Sequence, residues 1–206
     1  MYALVENNEI TKIITNPKSL VIGDVRYPAN IFQLWTKAEK EAVGIYEVVT
    51  DSTNHKDEKW YINTNESFTF ANNTVTRSWG TATAKAHADT LWTQQDSDNG
   101  DLPDDKEVGD VKVEGLKTQL IRTIKQQAAG ILQDTDWYVV RKADAGTAVP
   151  SSITTHRAAV RTKAAEMETA ITNASDTPAL ETLYTYTEQE DGSVTRPLGE
   201  LPTLEN

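Results

Sequence analysis

The sequence contains no cysteine, which removes disulfide staples, thiolate catalysis and thiolate metal sites together, although it does not identify a compartment. It is also short of positive charge. Lys and Arg number 20 against 31 Asp and Glu, leaving a formal charge of −11 and an isoelectric point near 4.7. Nucleic-acid binders cluster Lys and Arg to displace counterions from phosphates, so no nucleic-acid partner is expected, and an anionic membrane is disfavoured for the same reason. No apolar run approaches the ~20 residues that span a bilayer. The opening MYALVENNEI lacks the basic segment followed by a long apolar one that marks a leader. These absences predict no membrane association and a protein kept in the cytoplasm or packed into a particle assembled there.

What is present suits two small units better than one medium domain. The hydrophobic share is 38% and the charged share 25%, so the chain folds around modest cores. Small units bury less of their surface and are often stabilised by oligomerisation or by docking onto something larger; a homo-oligomer is one such arrangement.

Residues 1–82 read as a mixed, β-rich unit with one helix. Short β-prone runs flank Asn7-Asn8, and Phe68–Phe70 and Thr74–Arg77 flank Asn72-Asn73, giving two hairpin candidates. Ile22–Pro28 reads as a loop or edge strand. Ile31, Leu34, Trp35, Ala38 and Ala42 share a helical face that ends at Gly44, Ile45–Thr50 is a strand, and Trp60–Ile62 is another. Trp35, Trp60 and Trp79 are expected to pack in the core or on the sheet. Residues 83–110 include QQDSDNGDLPDDKEVGD, with almost nothing to bury, and read as an acidic linker or mobile loop.

Residues 111–175 read as a helical hairpin. Val113, Leu116, Leu120, Ile121, Ile124, Ala128, Ile131 and Leu132 form one apolar stripe. A second helix follows Pro150 with Ser151 or Ser152 as its cap. Ile153, Val160 and Met167 recur every seven residues there, with Arg157, Ala164 and Ile171 between them, so the helices pair antiparallel within the chain or between chains. Residues 176–206 read as an extended Pro- and Thr-rich tail after a short turn of helix. The fold class predicted is therefore α+β.

The sequence offers no convincing catalytic set. Acid–base catalysis needs a titratable group beside a second group that sets its pKa or tautomer, whereas His55, His87 and His156 are far apart and read as lone surface histidines. No two are close enough to hold a metal together. A calcium-loop template started at Asp96 finds Asp98, Asp104 and Glu107 in place. It then fails at Gly100, at Asp101 where the loop needs glycine, and at Pro103. The phosphate-loop, nucleophile-elbow and HExxH patterns do not occur. The prediction is a protein that is not an enzyme and that carries no cofactor and no metal.

The most distinctive stretch is ILQDTDWYVVRK at 131–142, followed by Ala148-Val149-Pro150 and HRAAVR at 156–161. With YP at 27–28, LWTKAE at 34–39 and GIYEV at 44–48, it resembles small bacteriophage tail proteins of the tail-fibre or tail-fibre assembly type. The resemblance covers residues 1–80 and 116–171. It implies a role in a virion tail or in the host cytoplasm during assembly, with a tail-fibre, baseplate or tail-tip protein as partner, bound as a retained component or chaperoned. No catalytic residue is carried over. On local physics, Thr135 and Asp136 cap and turn the chain, Trp137 covers the end of the hairpin, and Pro150 starts the second helix. Trp137, Tyr138, Arg141, Arg157 and Arg161 are the candidate partner-binding residues. A different class, a carbohydrate-binding module, is the alternative, because five tryptophans and seven tyrosines supply stacking platforms if they lie coplanar and exposed.

Overall fold

Two asparagine pairs frame the first unit, Met1–Thr83. Asn7 and Asn8 take φ of 53° and 66°, and Asn72 and Asn73 take 51° and 56°. A two-residue hairpin turn of type I′ requires that left-handed pair, and asparagine tolerates it better than most residues with a Cβ. The computed structural model describes residues 1–204. In this unit it contains β1 (Tyr2–Glu6), β2 (Glu9–Ile14), β3 (Leu20–Ile22), β4 (Val25–Tyr27), α1 (Ile31–Leu34), α2 (Lys37–Ala42), β5 (Ile45–Thr50), β6 (Tyr61–Ile62), β7 (Ser67–Ala71) and β8 (Thr74–Ser78). The boundary between the units falls within β9 (Thr83–Ala84).

Five strands form one sheet in the order β2-β1-β5-β8-β7, antiparallel except where β5 and β8 run parallel. The sheet curls until β2 approaches β7. Alternation along β1 divides its side chains between two cores. Leu4 joins Ile14, Leu20, Ile31, Phe32 and Ile45, while Ala3 and Val5 join Val75 with Tyr46 and Phe70. Trp60 is buried and Trp35 packs against the first core, as expected. Ile22–Pro28 forms a small hairpin, β3 with β4.

The single helix expected over Ile31–Ala42 is two. Thr36 opens α2 with a capping box: its hydroxyl accepts from the Glu39 amide at 3.3 Å, and the Glu39 carboxylate accepts from the Thr36 amide at 2.7 Å. A capping box starts a helix, so the chain before it must leave helical geometry, and Trp35 is extended. Leu34 is consequently 73% exposed. Gly44 ends α2 at φ 82°, where a Cβ would lie 2.5 Å from the Val5 carbonyl oxygen.

The second unit begins at Ala84 and contains β10 (Thr90–Leu91), α3 (Gln94–Asp98), β11 (Val111–Val113), α4 (Leu116–Gln133), α5 (Asp136–Ala145), α6 (Ser151–Asn173), α7 (Thr177–Tyr184), β12 (Thr187–Glu188) and β13 (Val194–Thr195). The acidic segment is thus folded rather than a linker. The β10 and β11 strands pair antiparallel, continued by hydrogen bonds from Trp92 N to Asp110 O and from Gly109 N to Trp92 O. One of its carboxylates is held by two partners. The Asp96 carboxylate bonds to Lys112 and caps α3 through Thr93, which holds its pKa down at about 2. Asp96 is therefore engaged away from the calcium-loop geometry, and no cluster of three metal-binding side chains occurs among the described residues.

The first long helix starts at Leu116 rather than near 111, because β11 takes Val111–Val113. Its start is capped from a distance. Asp89 accepts from Gly115 N at 2.7 Å and from the Thr118 hydroxyl at 2.8 Å, while Leu116 N and Lys117 N donate to the carbonyls of Ala86 and His87. Those bonds satisfy amide groups that a helix start otherwise leaves unpaired. They also bring the backbone so close that a Cβ on Gly115 would sit 2.3 Å from the Ala88 carbonyl.

Helices α4 and α6 pair antiparallel, since Lys117 bonds to the Thr172 carbonyl, Lys125 pairs with Glu168, and Arg157 bonds to the Leu132 carbonyl. Leu116, Leu120, Ile124 and Ala128 face inward from α4, and Ile153, Arg157, Val160, Ala164, Met167 and Ile171 from α6. His156, expected on the surface, is buried beside this seam at 8% exposure. The tail is also folded. Asp176 caps α7, the strands β12 and β13 form a hairpin, and Leu180 and Leu198 are fully or nearly fully buried. Arg196 pairs with Glu200 while lying over the rings of Tyr184 and Tyr186.

Candidate functional site

The TDW segment opens a helix rather than a simple turn. Thr135 occupies the N-cap of α5 but does not cap it with its side chain. Its hydroxyl instead donates to the Leu132 carbonyl at 3.0 Å and accepts from Arg157 Nη1 at 2.6 Å. The same Nη1 reaches the Leu132 carbonyl at 2.7 Å, and Nη2 reaches Asp136 Oδ1 at 2.8 Å. One guanidinium from the second turn of α6 thereby ties together the end of α4 and the start of α5. Arginine suits this role because its planar fork serves several acceptors at once.

This arrangement sorts the candidate residues. Thr135 is buried and Arg157 is 8% exposed, so Arg157 holds the fold together and is withdrawn from the partner-binding set. Asp136 anchors the outer end of the same network. Pro150 does precede α6, in the N-cap position, with its carbonyl accepting from Thr154 N at 3.0 Å. Ser151 and Ser152 lie inside the first turn, and no side chain caps it. Proline has no N–H to lose and suits a helix start, which accounts for the shift.

Trp137 does not cover the hairpin. It is 51% exposed, and α5 contains no buried residue at all. Its ring lies 3.8 Å from that of Tyr138, and the Arg141 guanidinium sits 4.7 Å and 5.4 Å from the two ring centres. Val139 and Val140 on the same helix are 45% and 65% exposed. Trp137, Tyr138 and Arg141 are therefore brought together as one surface. Arg161 is exposed on α6, and its side chain bonds only weakly to the Arg157 carbonyl, at 3.4 Å.

The other tryptophan rings already have close neighbours. Trp35 meets Tyr27 edge-on, Trp60 is buried, Trp79 lies between His55 and Arg77, and Trp92 lies under Lys112. Of these rings only Trp60 is buried, which withdraws it as a stacking platform for a sugar. Three features were missed in the sequence: the Asp89 cap, the buried His156 and the Arg157 network. Only the last had a legible signal, an arginine placed in a seam position where an apolar residue was due. Compared with known protein families, curated proteins and solved structures, the chain has no match.

Proposed function

We propose that this protein is a non-catalytic tail accessory protein of a bacteriophage, which binds a tail-fibre or tail-tip protein either as a virion component or as a fibre assembly chaperone. The observation that carries the reading is α5, a ten-residue helix with no buried side chain that leaves Trp137, Val139 and Val140 largely in water. Trp137 and Val140, three residues apart, share a helix face, and exposed apolar side chains that adjoin one another mark an interaction site. Tryptophan and arginine are also the residues that dominate binding energy at protein interfaces. The class of partner is taken from the resemblance of the motifs at 27–48 and 131–161 to tail-fibre assembly proteins. No described helix is long and apolar enough to cross a membrane, which fits a place in the virion tail or in the host cytoplasm during assembly.

The test is co-purification with the fibre and tail-tip proteins of the same phage from infected cells, using the wild type, Trp137→Ala and Val140→Ser. The reading expects an identified fibre or tail-tip protein to be retained by the wild type and lost by both variants, which keep their helical signal. Equal recovery by all three would remove α5 from the interface, and recovery of neither protein would remove the proposed partner.

A further inference from the structure

Gly130 is out of place in α4. It lies three residues before the end of an 18-residue helix, where glycine is a poor helix former, and nothing among the described residues asks for it. Its φ is not in the left-handed range, and a Cβ built there would meet no neighbouring atom within 4 Å. The contrast is Gly115 in the same region, where a Cβ would strike backbone. Gly130 lines a cleft of about 480 Å³ with Ile131, Met167 and Leu201. Met167 is 1% exposed, and Ile131 and Leu201 are half-buried. The rim carries three charges, Asp134, Arg196 and Glu200. Arg196 and Glu200 neutralise each other at 2.8 Å. Asp134 has no ion pair among the described residues, in a chain of net charge −11.

We propose that this cleft receives a large apolar side chain of a partner, laid across Gly130 between Ile131 and Leu201 and flanked by a Lys or Arg that pairs with Asp134. A bare backbone at residue 130 lets an incoming side chain approach the helix more closely than any other residue would. The uncompensated carboxylate at Asp134 selects cationic over anionic occupants. This cleft is separate from the exposed surface of α5, and its test uses the isolated chain, so its failure would leave the tail-accessory reading standing.

Phenylbutylamine, phenylbutanol and phenylbutyrate, which share one ring and differ in charge, are titrated into ¹⁵N-labelled protein. Phenylbutylamine is expected to shift the amides of Gly130, Ile131 and Asp134 saturably and to bind about threefold more tightly than phenylbutanol, the scale of one exposed ion pair. Phenylbutyrate should bind most weakly. Gly130→Leu should abolish the shifts, and Asp134→Asn should make amine and alcohol equal. Gly130→Ala should weaken binding while raising the melting temperature, which separates loss of the site from loss of the fold. The proposal is overturned if those amides do not shift saturably, if the three compounds bind wild type equally, or if Gly130→Leu binds as wild type does.

Discussion

Removing the Arg157 side chain should unfold the second unit far more readily than removing its ion-pair partner. The side chain is 10% exposed, whereas that of Asp136 is 55% exposed. Nη1 serves two inward acceptors, the Leu132 carbonyl and the Thr135 hydroxyl, and hydrogen bonds from a charged donor contribute about 1.5 kcal/mol or more each. The link to Asp136 reaches into solvent and is worth under about 1 kcal/mol. Leu132 O still accepts from Thr135 N and Oγ1 after truncation, so no carbonyl is orphaned and the cost stays near the sum of the lost bonds. Arg157→Ala is therefore expected to cost about 3 kcal/mol, Arg157→Lys somewhat less because an ammonium lacks the fork, and Asp136→Asn under about 1 kcal/mol. Urea unfolding followed by far-ultraviolet circular dichroism measures all three. The reasoning is refuted if Arg157→Ala lies within about 0.5 kcal/mol of wild type, the range of an ordinary surface change, or if Asp136→Asn costs as much.

The two glycines flanking the body of α4 should respond oppositely to the same substitution. Gly115→Ala drives a Cβ into the Ala88 backbone and is expected to destabilise by about 1–3 kcal/mol, while Gly130→Ala is expected to stabilise by about 0.5–1 kcal/mol; thermal unfolding reads both. At the first hairpin, Asn8→Val places a β-branched residue at φ 66° and should cost about 1–2 kcal/mol, whereas Asn8→Gly should be neutral or better. The Asp96 carboxylate, held down first by its bond to Lys112 and then by Thr93, should titrate at about 2. Because its pKa is depressed in the fold, the contact favours folding above the ordinary carboxylate pKa and is lost as pH falls towards about 2. An NMR titration of the Asp96 carboxyl should show that midpoint, moving up in Lys112→Met.

What was legible in the sequence was local chemistry with a fixed period. The Asn-Asn pairs named both hairpins because few other residues accept their backbone angles. The seven-residue recurrence of Ile153, Val160 and Met167, with Arg157, Ala164 and Ile171 between, named the buried face of α6 because one helix face must meet α4. The division of α1 from α2 was also written in the chain, as the Thr36 and Glu39 capping box, but apolar spacing across Trp35 masked it. The acidic segment misled for a different reason. Its order comes from pairings distant in sequence, Thr90 with Val113 and Asp89 with Gly115, and from an aspartate used as a cap, neither of which changes composition. The tail likewise folds around Leu180 and Leu198 despite its prolines. The exposure of Trp137 was illegible because a tryptophan after a buried helix reads as cover until the direction of α5 is known.

Mass spectrometry of purified phage particles and of fibre complexes from lysate, quantifying this chain against the major tail protein, tests the central claim most directly. The account predicts the chain either in particles at a fixed copy number, as a structural tail component, or outside them in a defined complex with a fibre protein, as a chaperone. Absence from both would contradict it.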